Sequence, residues 1–182
     1  ERGRLPLPDD DLTADMYDLA TDRLWDAGYI QYEISNWAKP GRICRHNLQY
    51  WRNSPYLGLG PGAHGYAAGV RYANLRSPQR YINLLKTYDG GCTFPLTPVV
   101  DEAVNVDRAG QITETLMTNL RLLEEGLSRD AFRRRFDVDV MTLHGETLTK
   151  FAGYNLLTID SEAIKLTRQG RLLSNAIFRE FV

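Results

Sequence analysis

The residues best suited to ligand chemistry lie together in the segment RHNLQYW, residues 45–51. Its side chains include an imidazole, an amide, a phenol and an indole, contributed by His46, Asn47, Tyr50 and Trp51. An imidazole can ligate a metal or donate a hydrogen bond, and flat aromatic rings can pack on a planar ligand. The segment is therefore a candidate ligand site. The alternative is structural, with His46 capping a turn and Trp51 packed in a core.

This candidate site lies within a stretch of 55 residues, 34–88, that contains no aspartate or glutamate. The same stretch contains eight aromatic residues and eight cations, namely Lys39, Arg42, Arg45, Arg52, Arg71, Arg76, Arg80 and Lys86. Because an unpaired buried charge is costly, we expect several of these cations to line a surface that attracts an anionic group. Cations beside flat rings suit a planar anionic ligand or single-stranded nucleic acid.

The glycine-rich segment GLGPGAHG, residues 58–65, contains the pattern GxGxxA of a dinucleotide-binding loop. Such a loop needs a helix directly after the glycines, and residues 64–74 do not predict one. The glycines instead indicate a close approach of the backbone to a ligand or to a neighbouring strand.

Cysteine spacing excludes several classes of site. Cys44 and Cys92 lie 48 positions apart, so they define neither a disulfide framework nor a zinc site. We predict no metal site within this chain. No nucleophile elbow, HExxH motif or P-loop is present, and His144 is expected to be structural.

Hydrophobic periodicity and turn residues predict a mixed first half. The predicted elements are a helix begun by Asp9, Asp10 and Asp11 and ended by Gly28, a strand over 29–37, a loop over 42–55, strands over 56–59 and 66–74, and a helix over 78–88 capped by Ser77. This order fits the edge of an α/β sheet or an open barrel.

Residues 91–106 contain two prolines and no helical period, and they are predicted to be a linker. The elements predicted beyond them are a helix over 111–125, a helix from Ser128 to Phe136, a helix from Asp139 to Gly153, a hairpin of 156–159 and 163–166, and a last helix capped by Thr167. This pattern is typical of a winged-helix-like domain over residues 107–182. That domain has 11 basic and 11 acidic residues, whereas DNA-binding domains carry an excess of cations, so we predict no nucleic-acid partner.

Composition places the chain among ordinary globular proteins, with 43% hydrophobic and 25% charged residues. No apolar run approaches the roughly 18 residues of a membrane helix, and no signal peptide is visible. The expected location is the cytoplasm. The chain begins at Glu1 and opens with a polar stretch over residues 1–11, so we expect it to be a piece of a longer protein.

Long motifs throughout the chain resemble one known family. YEISNWAKPG (32–41), CRHNLQYW (44–51) and YLGLGPGAHGY (56–66) are similar to radical SAM proteins related to oxygen-independent coproporphyrinogen III oxidase. The HNxxYW element resembles the heme-chaperone branch of that family. The likeness continues through RYAN (71–74), TLMTNLRLLEEGL (115–127) and LTRQGRLLSNAIFREFV (166–182), so it covers essentially the whole chain.

The resemblance implies an α+β fold. Residues 1–90 would be the closing part of a partial (β/α) radical SAM barrel, and residues 107–182 its winged-helix-like C-terminal domain. Full-length members would bind a 4Fe–4S cluster and S-adenosylmethionine, but the CxxxCxxC motif that ligates the cluster is absent from this sequence. We therefore expect this chain to be inactive as an enzyme by itself.

By resemblance, a heme would bind at Arg45, His46, Asn47, Tyr50 and Trp51. Ala38 is expected to border the adenine of S-adenosylmethionine. The implied partners are heme or porphyrin and a heme-acceptor protein, which could be membrane-associated, and a truncated barrel would self-associate through its open edges. Two alternatives stay open: a true oxidase that decarboxylates porphyrinogen propionates, and a winged-helix module that binds nucleic acid without catalysis.

Overall fold

The computed structural model describes residues 9–181 of the chain. These residues form helices and antiparallel sheets. These residues divide into two units. The first unit contains residues 9–44 and 120–181, and the second contains residues 45–119. The expected polar opening stretch is described only from Asp9 onward, and its residues 1–8 lie outside the described part.

The first helix, α1, spans Asp10–Asp26 and confirms the prediction from its capping residues. The Asp9 carboxylate accepts a hydrogen bond from the Leu12 backbone N–H at 2.7 Å, as an N-cap residue does. Gly28 follows the helix with a φ of +80°, a backbone conformation that other residues rarely adopt.

An antiparallel hairpin follows α1 where the sequence predicts one strand over 29–37. Strand β1 spans Ile30–Glu33 and β2 spans Asn36–Ala38, with the turn between them. The single-strand prediction is wrong because the side chain of Asn36 donates a hydrogen bond to the Glu33 carboxylate and closes a tight turn. The hairpin joins the rest of its unit through main-chain bonds, including Leu123 N–H to the Tyr32 carbonyl at 3.0 Å.

The second unit contains three helices and one three-stranded sheet. Its elements are α2 (Arg45–Trp51), β3 (His64–Ala67), β4 (Val70–Asn74), α3 (Pro78–Lys86), β5 (Val100–Asn105) and α4 (Arg108–Asn119). The strands are antiparallel in the order β3–β4–β5. The prediction of α3 is confirmed, with the Ser77 hydroxyl capping its first turn.

Four predictions for this unit are wrong. The predicted loop over 42–55 contains helix α2, and the predicted strand over 66–74 is the hairpin β3–β4, which turns at Ala68 and Gly69. Residues 56–59 form no strand but a single bridge between Tyr56 and Tyr66. The predicted linker 91–106 includes β5, which pairs with β4, so this segment belongs to the sheet.

The remainder of the first unit is built mainly as predicted. Its elements are β6 (Leu127–Ser128), α5 (Arg129–Phe136), α6 (Val140–Gly153), β7 (Leu157–Ile159), β8 (Ala163–Leu166), α7 (Arg168–Leu172) and α8 (Ser174–Arg179). The sheet order is β6–β8–β7. The predicted last helix is two helices, because residue Leu173 leaves helical geometry between them. Fully buried side chains of this part include Leu127, Phe132, Val140, Leu148, Ile164 and Ile177.

Asp139 is the N-cap residue of α6, and its pKa is shifted furthest among the described carboxyl groups of this unit. Its carboxylate accepts a bond from the Met141 backbone N–H at 2.9 Å and one from Arg129 at 3.0 Å, and it also pairs with Arg133. The backbone bond first, and the two guanidinium groups second, lower the pKa of Asp139 from 3.8 to about 2. Ionised Asp139 therefore stabilises the fold above pH 3.8, and this stability is lost as the pH falls toward 2.

We predict that Asp139→Asn lowers the free energy of unfolding by about 1 kcal/mol at pH 7, allowing for solvent screening at the exposed arginine. Asparagine still caps the helix, so the loss comes from the charge alone. Urea unfolding, followed by circular dichroism, measures the difference in the free energy of unfolding between wild type and variant. This difference should shrink between about pH 5 and pH 2. A difference of constant size across that range contradicts the assignment.

Candidate functional site

Helix α2 presents a histidine and a tyrosine side by side at the surface. His46 and Tyr50 lie one helical turn apart, and their Nε2 and hydroxyl groups are 3.1 Å apart, within hydrogen-bond distance. Their rings meet edge to face with centroids 4.9 Å apart. Both side chains are exposed, while Leu48 on the other side of the helix is buried. The pair can therefore reach a ligand without rearrangement of the core.

A second tyrosine extends this aromatic surface. The ring of Tyr56 meets that of Tyr50 edge to face, with centroids 4.6 Å apart. Tyr56 is fixed by a pair of main-chain bonds with Tyr66, at 2.7 and 2.9 Å. Burial raises the pKa of Tyr56 above its ordinary value of 10, so this phenol is neutral. Its ring extends the aromatic surface formed by Tyr50.

Trp51 and Asn47 lie on the neighbouring side of α2. Both side chains are only partly exposed, and the Trp51 carbonyl accepts a hydrogen bond from the Asn119 side chain of α4 at 2.9 Å. Next along the chain, buried Asn53 donates to the Thr115 hydroxyl at 3.1 Å. These two bonds tie the end of α2 to α4. The structure therefore brings His46 and Tyr50 together on one surface, whereas Trp51 contributes to anchoring the helix.

Arg71 is the partly buried cation of the anion-free stretch, and its charge is neutralised by a residue outside that stretch. Its guanidinium makes two bonds to the Glu114 carboxylate, at 2.8 and 2.6 Å, and lies 4.8 Å from the centre of the Tyr66 ring. The bonds to Glu114 raise the pKa of Arg71. The other seven cations of the stretch are exposed.

The glycine-rich segment is held by side chains of β4 and α3. The buried amide of Asn74 donates to the carbonyls of Gly58 and Gly60, at 3.1 and 3.0 Å. In return, the N–H groups of these two glycines donate to the hydroxyls of Tyr72 and Tyr81, at 3.1 and 3.2 Å. Sequence reasoning missed the role of Asn74, although RYAN was among the motifs of the resemblance.

At Gly58 and Gly65, two glycines of this segment, neighbouring atoms lie so close that no side chain would fit. A Cβ on Gly65 would lie 2.1 Å from the Tyr72 ring, and one on Gly58 would lie 2.3 Å from the His64 carbonyl oxygen. At these two glycines the backbone therefore lies against other atoms of the protein itself. Strand β3, rather than a helix, follows the glycines, so the segment lacks the geometry of a dinucleotide-binding loop.

Ala38 and Arg45, the other two predicted site residues, lie on different elements. Ala38 is buried in β2, where it pairs with Ile30 in the first unit. Arg45 is the exposed first residue of α2.

The residues present do not fit an iron–sulfur cluster. Across residues 9–181, no three histidine, cysteine, aspartate or glutamate side chains are grouped so that they could hold a metal ion. Cys44 and Cys92 are both free and exposed. In the same described range, no helix is long and apolar enough to cross a membrane.

Comparisons with known proteins identify related chains. A family model described as the HemN C-terminal domain matches residues 106–173. The chain is 35% identical over 181 residues to "Heme chaperone HemW" of Lactococcus lactis, covering 100% of this chain and 45% of that protein. It is 35% identical over 182 residues to the protein of the same name from Bacillus subtilis, covering 100% and 46%. The chain therefore spans slightly less than half the length of these relatives.

A solved structure shares the fold. The coproporphyrinogen III oxidase HemN from Escherichia coli, described as a radical SAM enzyme, matches with a TM-score of 0.67 and 17% sequence identity. The match covers 96% of this chain and 42% of that one. At this identity the likeness concerns the fold alone.

We predict that Asn74→Asp lowers the free energy of unfolding of the second unit by about 2 kcal/mol at pH 7. The aspartate side chain keeps the size of asparagine but cannot donate to the carbonyls of Gly58 and Gly60. Urea unfolding measures the loss. The control is Asn105→Asp, which adds the same charge at an exposed position of β5. Equal stability of the two variants would show that the Asn74 bonds contribute nothing.

Proposed function

This chain belongs to the HemN-related radical SAM family, and from that premise we propose that it acts in heme handling, as part of a heme chaperone whose heme-binding surface is α2. The observation that carries the proposal is the exposed pair of His46 and Tyr50 on the HNxxYW element. Imidazole and phenolate are both known axial ligands of heme iron. Their exposure leaves room for a macrocycle at this surface.

The donor set of α2 fits a heme. The hydrogen bond between His46 Nε2 and the Tyr50 hydroxyl orients the ring, which leaves Nδ1 as the nitrogen that would ligate the iron. Tyr50 and Tyr56 provide an aromatic edge for the macrocycle. Exposed Arg45 and Arg52 flank the helix and could pair with the anionic propionates. We include Asn47 and Trp51 in the site as residues of the same element.

The iron–sulfur cluster and S-adenosylmethionine belong to the proposal for the longer relatives. The described residues of this chain do not supply cluster ligands, so no step is assigned to a cluster here. Ala38 is proposed to lie beside the adenine of S-adenosylmethionine. The pairing of Ala38 with Ile30 fixes its position in β2.

The family also supports a finer description of the fold. We assign residues 1–90 to the closing part of a radical SAM barrel and residues 107–182 to a winged-helix-like domain. Helices α5 and α6 followed by the hairpin β7–β8, all in the first unit, support the second assignment.

A true coproporphyrinogen oxidase is the second candidate function, favoured by the fold shared with the Escherichia coli enzyme. The HNxxYW element and the relatives named heme chaperone weigh against it. Nucleic-acid binding is disfavoured because basic and acidic residues are balanced from Asp107 onward. The partners proposed for the chaperone are heme and an acceptor protein.

We predict that hemin binds this chain saturably and that His46→Ala shifts the Soret band. The variant should also weaken hemin affinity by about tenfold or more, since an iron–imidazole bond is lost. Absorbance titration measures both effects. Far-ultraviolet circular dichroism should be unchanged, because the His46 side chain is exposed.

The matched control is His64→Ala, which removes another exposed histidine of the same unit. Hemin affinity and the Soret band of this variant should equal those of wild type. Binding that does not saturate, or that both variants weaken equally, would rule out α2 as the site. Tyr50→Phe then distinguishes an imidazole ligand from a phenolate ligand of the iron, because it removes only the hydroxyl group that contacts His46.

A further inference from the structure

A cavity separate from α2 lies in the first unit, between the end of α1, the β1–β2 hairpin and the segment from β8 to α7. Its volume is about 620 Å³, which is within the range of small-molecule sites. Three aromatic residues and three cations are among its lining residues: Trp25, Tyr29, Trp37, Lys165, Arg168 and Arg171. The heme site proposed above uses none of them.

The aromatic side of the cavity is open to a flat ligand. Trp25 is 67% exposed although it is the largest apolar side chain of α1, and it lines the cavity together with Tyr29. The ammonium group of Lys39 lies 5.4 Å from the centre of the Tyr29 ring. An exposed indole beside a cavity is a stacking surface for an aromatic ring.

The three cations differ in how their charges are balanced. Arg168 pairs with Asp18 at 3.1 Å and Asp22 at 2.9 Å, and Lys165 donates to the Glu124 carbonyl. Arg171 makes no ion pair with any described carboxylate, and its Nη1 donates to the side-chain oxygen of Gln31 at 2.8 Å. Arg171 is thus the cation of this cavity whose charge an anion could balance.

Two buried donors belong to residues that line the same cavity. Arg171 Nε and Trp37 Nε1 are both buried, and neither has a hydrogen-bond partner among the described residues. Buried donors in native proteins are nearly always paired, with protein, water or ligand. Burial also lowers the pKa of Arg171, so its environment favours an added negative charge.

The geometry points to a binding site for a planar aromatic anion, with the ring system stacked on Trp25 and the anionic group beside Arg171. Two sources share this chemistry: an aromatic carboxylate and a nucleoside phosphate. The proposal does not depend on heme binding at α2, because the two sites share no residue.

Isothermal titration calorimetry with 2-naphthoate and with AMP tests the site and distinguishes the two sources. At least one of these iron-free probes should bind saturably, and the one that binds more tightly identifies the anionic group. Arg171→Gln should weaken its binding by about tenfold or more, since a charged hydrogen bond is lost. Trp25→Leu should weaken it by about fivefold or more through loss of stacking.

Matched controls lie elsewhere in the same unit. Arg134→Gln removes an exposed arginine of α5, and Tyr154→Leu removes an exposed aromatic ring at the end of α6. Both should bind the probe as wild type does. Trp25 is exposed, so its variant keeps the test decisive even if Arg171→Gln unfolds. The proposal is overturned if neither probe binds saturably, or if Trp25→Leu binds as tightly as Tyr154→Leu.

Discussion

The candidate site depends on the anchoring of one short helix. Seven residues are too few to form a stable helix alone, because the cost of nucleation exceeds the gain from so few hydrogen bonds. Burial of Leu48, the bond from Asn119 to the Trp51 carbonyl and the bond from Asn53 to Thr115 supply the missing stability. All three act on the side or end of α2 that faces its own unit, so His46 and Tyr50 are left at the surface.

Local signals were sufficient wherever a helix has its own cap. The helices that begin after Asp9, Ser77, Ser128 and Asp139 could be predicted because one side chain closes the first turn within three residues of sequence. Helix α2 follows Cys44, which is not one of the residue types that cap helices, and β5 follows two prolines. Both elements form because of partners distant in sequence, such as α4 for α2 and β4 for β5, and periodicity cannot detect those partners.

The candidate residues could be found from the sequence, but their arrangement could not. His46 and Tyr50 were selected by residue type and by resemblance to a family motif, within a segment predicted to be a loop. Only the helix shows that their spacing of four places both on one side, with Tyr56 beside them. Asn74 was missed because its function is to donate to two carbonyls 14 and 16 residues away, and no local pattern marks such a residue.

Exposure of His46 and Tyr50 bears on the kind of function that α2 can serve. A heme enclosed in a core is held by many apolar contacts and leaves slowly, whereas one held on a surface helix loses fewer contacts on release. Helix α2 offers ligand atoms and an aromatic edge, but its buried face is occupied by Leu48 and by the bonds to α4. A macrocycle bound at such a surface would contact α2 with one face and leave its other face open to a receiving protein. Under the function proposed above, that asymmetry would suit transfer of a bound heme better than its permanent retention.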